Sequence, residues 1–183
     1  MIRKLYTPIK IGPITVKNRI AMPAFGLGYV DGRHPSARLI DFYEARAKGG
    51  CGLIIVGGIG IDMLGSGLGM PTIESDEYIP GFKKLADACH RHGAKVMLQL
   101  FHAGRYSHSF RIGGEKAVAP SAIISRYTKE EPRALSIEEI HEIEEKYASA
   151  ALRAKKAGVD GVEIIASTGY LISQFLSPIT NRR

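Results

Sequence analysis

The chain has 183 residues, 45% of them hydrophobic and 23% charged, enough for one domain with its own core and too balanced for a disordered, fibrous or membrane-spanning protein. Its 25 Lys and Arg exceed 18 Asp and Glu for a net charge of +7, but the cations are scattered singly or in pairs, without the basic block and interleaved aromatics of a nucleic-acid-binding surface. No apolar run approaches the roughly 18 residues needed to cross a bilayer, and the opening MIRKLYTPIKIG lacks the apolar core of a signal peptide, so no membrane partner and a cytoplasmic setting are expected.

The first predicted element is a small hairpin, IKIGPITV (Ile9 to Val16), with Gly12 and Pro13 at its turn. Arg19 to Met22 reads as a first strand ended by Pro23. Pro35 and Ser36 open a helix carrying Leu39, Phe42, Tyr43 and Ala47 on one face, with Gly49 and Gly50 as its stop. Leu53 to Val56 is a second strand, stopped by Gly57 and Gly58, and a Gly- and Met-rich loop runs from Ile59 to Met70.

A helix with Pro80 in its first turn follows, with Phe82, Leu85, Ala86 and Cys89 on one face and Gly93 as its terminator. Lys95 to Leu100 is a third strand, and Phe101 to Leu135 a long loop of the kind that usually carries function. Ser136 and Glu139 form a capping box for a helix with an apolar stripe of Ile137, Ile140, Ile143, Tyr147, Ala150, Ala151 and Ala154. The fourth strand, Val162 to Ala166, contains one acid, Glu163, and empties into Ser167, Thr168 and Gly169 before a helical turn from Tyr170 to Phe175. Cys51 and Cys89 lack CxxC spacing and neighbouring ligand residues, so neither a disulfide nor a metal site is expected.

Strands and helices therefore alternate, and the strands are continuous apolar runs, which predicts an α/β fold with a parallel sheet and outer helices. Two architectures fit: a doubly wound sheet, or the first half of an eight-stranded barrel. Gly65, Gly67 and Gly69 supply only GxGxG within a loop, short of the dinucleotide fingerprint GxGxxG. Ligands gather at the carboxyl ends of parallel strands, which draws attention to Ser167, Thr168 and Tyr170. Gln99 is the polar residue inside VMLQL; a buried amide must be hydrogen-bonded or cost on the order of 1 to 3 kcal/mol. It is either a satisfied core amide or a cofactor contact, since a carboxamide offers donor and acceptor together.

Five motifs in register carry a resemblance: KNRIAMPAF (17–25), GLIIVGGIG (52–60), VMLQLFHAGR (96–105), VAPSAI (118–123) and DGVEIIASTGYLISQFLSPITNRR (160–183). Together they resemble the Old Yellow Enzyme family of FMN-dependent oxidoreductases, most of all its branch of 2,4-dienoyl-CoA and 2-enoate reductases. The resemblance implies the N-terminal half of a (β/α)8 TIM barrel, with four parallel strands, outer helices and an N-terminal β-hairpin. Residues 1–183 would then be a partial FMN-binding domain ending after the fourth strand. Longer members continue through the rest of the barrel and, in this branch, an iron-sulfur segment, so an iron-sulfur cluster is expected only in a longer version.

By the same resemblance Pro23, Ala24 and Phe25 lie along the flavin, although Pro23 also reads as a plain strand terminator. Gly57 and Gly58 approach its pyrimidine side, although a simple turn explains them equally well. Gln99 would bind the pyrimidine edge, and His102 and Arg105 would either touch cofactor or brace their loop. Tyr170 matches the acid that protonates the carbon next to the substrate carbonyl. Ile165 and Thr168 stand at substrate-binding positions where many members carry two histidines or a histidine and an asparagine. Isoleucine cannot donate a hydrogen bond, which favours the dienoyl-like branch over generic enone reduction.

The implied activity is hydride transfer from NAD(P)H through FMN to an activated C=C bond of a small molecule, with the isolated chain inactive for want of the remaining barrel. The other expectation is a non-catalytic half-barrel that self-associates, as a homo-oligomer or through open barrel edges.

Overall fold

In the computed structural model, which describes residues 2–183, the hairpin comes first: β1 (Ile9–Ile11) pairs antiparallel with β2 (Ile14–Val16) across the Gly12–Pro13 turn. The first strand of the main sheet, β3 (Ala21–Met22), is only two residues long. A small ribbon of β4 (Val30–Asp31) and β5 (His34–Pro35) follows, so Pro35 belongs to a strand end and Ser36 alone caps the helix. That helix, α1 (Ala37–Lys48), starts where the Ser36 hydroxyl accepts from the Leu39 N–H at 3.2 Å, and it buries Leu39, Tyr43 and Ala47.

Strand β6 (Leu53–Gly60) is eight residues long and does not stop at Gly57 and Gly58. Its pairing continues beyond them with a register shift between Val56 and Ile59. The Gly-rich loop after it holds a short helix, α2 (Met63–Ser66), capped by the Asp62 carboxylate. Helix α3 (Ile79–His90) buries Phe82, Leu85, Ala86 and Cys89 as their spacing predicts, and β7 (Lys95–Phe101) follows. The long loop is less irregular than expected: two 3-10 turns and a parallel pair, β8 (Val118–Ala119) with β9 (Arg133–Ala134), are folded into it.

Helix α4 (Ile137–Lys156) has the complete capping box of Ser136 and Glu139. Its stripe is narrower than predicted, because Ile137 is 54% exposed, while Ile143, Ala150 and Ala154 are buried. Strand β10 (Gly161–Ile164) ends two residues earlier than the apolar run suggests, which leaves Ile165 and Ala166 in the loop. Helix α5 (Leu171–Leu176) begins after Tyr170, which is its N-cap.

The main sheet has the order β10-β7-β6-β3 and every pairing in it is parallel. Along β7 the side chains alternate: Val96, Leu98 and Leu100 are fully buried against the outer helices, whereas Lys95, Met97 and Gln99 are half-buried on the opposite, inner face. The inner face therefore carries the polar residues, and the core lies between the sheet and α1, α3 and α4. At the amino ends of the strands Asp160 ties β7 to β10, accepting from Lys95 Nζ at 2.8 Å and the Val96 N–H at 2.9 Å and meeting His90 Nε2 at 2.6 Å. Burial pushes the Asp160 carboxyl up, but these partners together hold it below its ordinary value.

Candidate functional site

At the carboxyl ends of the strands the inner face opens into a set of residues drawn from all four. Register aligns Glu163 of β10 with Gln99 of β7, and the Gln99 carboxamide donates to the Glu163 carboxylate. The polar partner of Gln99 is thus the one acid of the neighbouring strand. Each residue stands out in sequence as a polar interruption of an apolar run, and the parallel register of the two strands is what pairs them.

Beside them stands Gly57. A Cβ there would fall 2.5 Å from the Ala24 Cβ and 2.9 Å from Gln99 Oε1, so glycine keeps this floor free of side chain and lets the neighbours close over main chain. An isolated parallel bridge joins Gly26 to Gly57, and the Tyr43 hydroxyl, reaching up from α1, donates to the Phe25 carbonyl at 3.4 Å. Pro23 and Phe25 are exposed at this mouth, Phe25 by 61%, and Ala24 is half-buried. Gly58 packs under the Phe101 ring.

Phe101 links this floor to Tyr170. The two rings meet edge to face with centroids 4.6 Å apart, and the Tyr106 ring also meets Tyr170 edge to face, at 6.2 Å. A cavity of about 640 Å³ opens between them, lined by Gly26, Phe101, Tyr106, Arg111, Thr168 and Tyr170 among others. That volume suits a small organic molecule. Thr168 is exposed on the rim with φ 63°, its hydroxyl 3.2 Å from that of Ser167. Ile165 is half-buried, its N–H bonded to the Leu100 carbonyl.

His102 lies outside the cavity lining. It is 1% exposed, and Nδ1 accepts from the Gly104 N–H at 3.0 Å, which leaves the proton of the neutral ring on Nε2, 3.6 Å from Asp62 Oδ1. Burial holds this imidazole below its ordinary pKa. Asp62 is itself pushed up by burial, but the Lys146 ammonium at 2.9 Å and the Gly65 N–H hold it below the usual carboxylate range. Through its bond to the Gly104 N–H the histidine ties its own loop. Arg105 is half-buried and extends toward the Ile123 carbonyl.

The residues fit a flat, uncharged ring system better than a metal: among the described residues no group of three His, Cys, Asp or Glu could hold a metal ion. The side-chain-free floor at Gly57 and the adjoining carboxamide oxygen of Gln99 offer a flat main-chain surface with a hydrogen-bond acceptor at its edge, the contacts that a planar heterocycle needs.

Residues 4–183 match the model of the NADH:flavin oxidoreductase / NADH oxidase family. The chain is 53% identical over 179 residues to a metal reductase of Desulforamulus reducens, and 44% identical over 183 residues to an NADH oxidase of Thermoanaerobacter brockii. Each alignment takes in 98% of this chain but only 27% and 28% of those relatives. The solved complex of 2-naphthoyl-CoA reductase with 2-naphthoyl-CoA superposes with a TM-score of 0.94 at 36% identity, covering 100% of this chain and 30% of that one. The chain thus spans between a quarter and a third of these relatives, and its parallel sheet with outer helices is part of a (β/α)8 barrel. With the family match and the fold in agreement, the chain belongs to the NADH:flavin oxidoreductase / NADH oxidase family, the Old Yellow Enzyme family of oxidoreductases.

Proposed function

We propose that this chain is the cofactor-facing N-terminal half of the barrel of an FMN-dependent ene-reductase that uses NAD(P)H to reduce an activated C=C bond, of the 2-enoyl or 2,4-dienoyl kind, in a small molecule. The observation that carries the proposal is that Gly58, beside the Gly57–Gln99 floor, packs against Phe101, whose ring meets Tyr170 edge to face in a cavity also lined by Gly26, the bridge partner of Gly57. When bound, FMN supplies hydride relay from a nicotinamide to the far carbon of the double bond. Ala24, Gly57 and Gln99 form the bed for its ring, with Pro23 and Phe25 at the edge and Gly58 holding Phe101 in place.

Tyr170 gives its phenolic proton to the carbon next to the carbonyl, so that hydride and proton together saturate the bond. A phenol is a weak acid, and it delivers a proton to carbon only when it is positioned against the atom that is gaining charge. On the substrate side Thr168 lines the cavity and offers its hydroxyl, while Ile165, three residues earlier in the same loop and outside that lining, offers apolar bulk and no hydrogen bond. The 2-naphthoyl-CoA found in the solved relative supports a conjugated acyl compound as the substrate class.

The test is Tyr170→Phe in the flavin-loaded protein that contains this chain. Reduction of the double bond is expected to fall about a hundredfold or more, with flavin reduction by NAD(P)H retained. An unchanged rate of double-bond reduction would remove Tyr170 from the chemistry.

A further inference from the structure

The Gln174 side chain is 1% exposed and lies one turn into α5, directly behind the Tyr170 N-cap. Its Nε2 donates to the Ala103 carbonyl at 3.0 Å and to the Gly169 carbonyl at 2.7 Å, while its Oε1 accepts the Arg105 N–H at 3.1 Å. Both donors and the acceptor are thus spent on main chain, and the bonded groups belong to two different loops. Ala103 and Arg105 follow β7; Gly169 follows β10.

Gly104 shows how closely the loops are drawn together. Its φ is +60°, and a Cβ there would lie 2.7 Å from Gln174 Nε2 and 2.8 Å from Cδ, inside the space the carboxamide occupies. The main chain adds further ties. The Leu171 N–H reaches the His102 carbonyl at 3.0 Å, and the Gln174 N–H reaches the Tyr170 carbonyl at 2.8 Å. From the other side the Thr180 hydroxyl donates to the Gln174 carbonyl at 2.6 Å. Phe101 and Tyr106, the rings that flank Tyr170, sit on the same segment that Gln174 grips.

We infer that Gln174 is a positioning residue: its carboxamide clamps the loops after β7 and β10 to one another and thereby fixes the Tyr170 phenol over the cavity. The inference rests on the proposed role of Tyr170 as proton donor. An apolar residue of equal size would fill the space but leave two carbonyls and one N–H without partners. The loops would then shift against each other, and displacement by about 1 Å at a reacting group costs on the order of a hundredfold in rate. The loss should fall on proton delivery alone, because Gln174 does not touch the Gly57–Gln99 floor.

Gln174→Met in the flavin-loaded protein containing this chain tests it, with Tyr170→Phe alongside. Flavin reduction by NAD(P)H and its reoxidation by 2-cyclohexen-1-one or 2,4-hexadienoyl-CoA, whichever is faster with the wild type, are followed separately by stopped-flow absorbance. Hydrogen exchange is read over residues 103–106 and 168–173. The expected result is reoxidation slowed by about a hundredfold, flavin reduction within about twofold of wild type, exchange at least about tenfold faster in both segments, and no further loss in the double variant with Tyr170→Phe.

Equal losses in both half-reactions, or unchanged exchange, would overturn the clamp. A slow Tyr170→Phe beside a wild-type Gln174→Met sinks the clamp and leaves the role of Tyr170 standing; a wild-type Tyr170→Phe sinks both. If Gln174→Met does not fold, Gln174→Glu decides. Its protonated acid keeps one donor and one acceptor, so reoxidation should rise as pH falls relative to wild type, and a ratio flat with pH would count against the inference.

Discussion

A methyl group placed on Gly57 has nowhere to go: Ala24 and Gln99 stand within 2.5 to 2.9 Å of it, and the space beyond is the proposed bed of the flavin. Gly57→Ala should therefore raise the flavin dissociation constant by about tenfold or more in the holoprotein, an effect of at least about 1.4 kcal/mol. Titration followed by flavin absorbance checks this, and affinity equal to wild type would show that the floor is not the bed. Glu163 matters at the same scale. Its carboxylate holds the Gln99 amide nitrogen, which leaves Gln99 Oε1 turned toward Gly57 as an acceptor. Each of Gln99 and Glu163 is conspicuous in sequence as a polar interruption of an apolar run. What makes them a pair is the register of two strands 64 residues apart.

Among the elements, α4 is the one whose start is written most plainly in the chain. Ser136 accepts from the Glu139 N–H at 3.1 Å, and the Glu139 carboxylate accepts from the Ser136 N–H at 2.8 Å. Arg133 and that N–H draw the Glu139 carboxyl down to about 2. A carboxyl lowered by folding stabilises the fold above its unfolded pKa of about 4.5 and loses that contribution as pH falls through its folded value. Glu139→Gln should accordingly speed hydrogen exchange in the first turn of α4 at pH 7, with the difference from wild type shrinking between about pH 4.5 and 2 once intrinsic exchange rates are corrected for. Ser136→Ala should cost about 1 kcal/mol by the same measurement. The less legible elements are those with no local signal. Strand β6 runs on past Gly57 and Gly58 because its pairing with β7 resumes at Ile59, and β10 stops at Ile164 although Ile165 and Ala166 prolong the apolar run.

At the level of the whole molecule, the sheet has β3 at one edge and β10 at the other, and large apolar side chains lie exposed near them and on α5, among them Phe25 at 61%, Ile164 at 52% and Leu176 at 74%. A groove of about 300 Å³ between α4 and α5, lined by Ile140, Ile143, Tyr147, Leu171 and Phe175, is likewise apolar. We expect the 183 residues expressed by themselves to self-associate through these surfaces and to take up FMN weakly, because barrels of this kind build their phosphate site from late strands. Light scattering at micromolar concentration and flavin titration check the two halves of this expectation. A clean monomer, or tight stoichiometric FMN, would show that the half-barrel is self-sufficient.

Alternating apolar segments, caps and turn residues are local properties, so the order of the four main strands and the three long helices, the hairpin, the capping box and the family motifs around Gln99 and Tyr170 were readable from the chain itself, whereas the β4–β5 ribbon, α2 and the β8–β9 pair were not. Side-chain partnership is not local. That Glu163 answers Gln99, that His102 is buried against Asp62 instead of lining the cavity, and that Gln174 joins two loops behind Tyr170 depended on which residues a parallel sheet brings side by side. A strand's sequence specifies which faces are apolar, but its register against a neighbour is set by packing between segments distant in the chain, and only folding decides it.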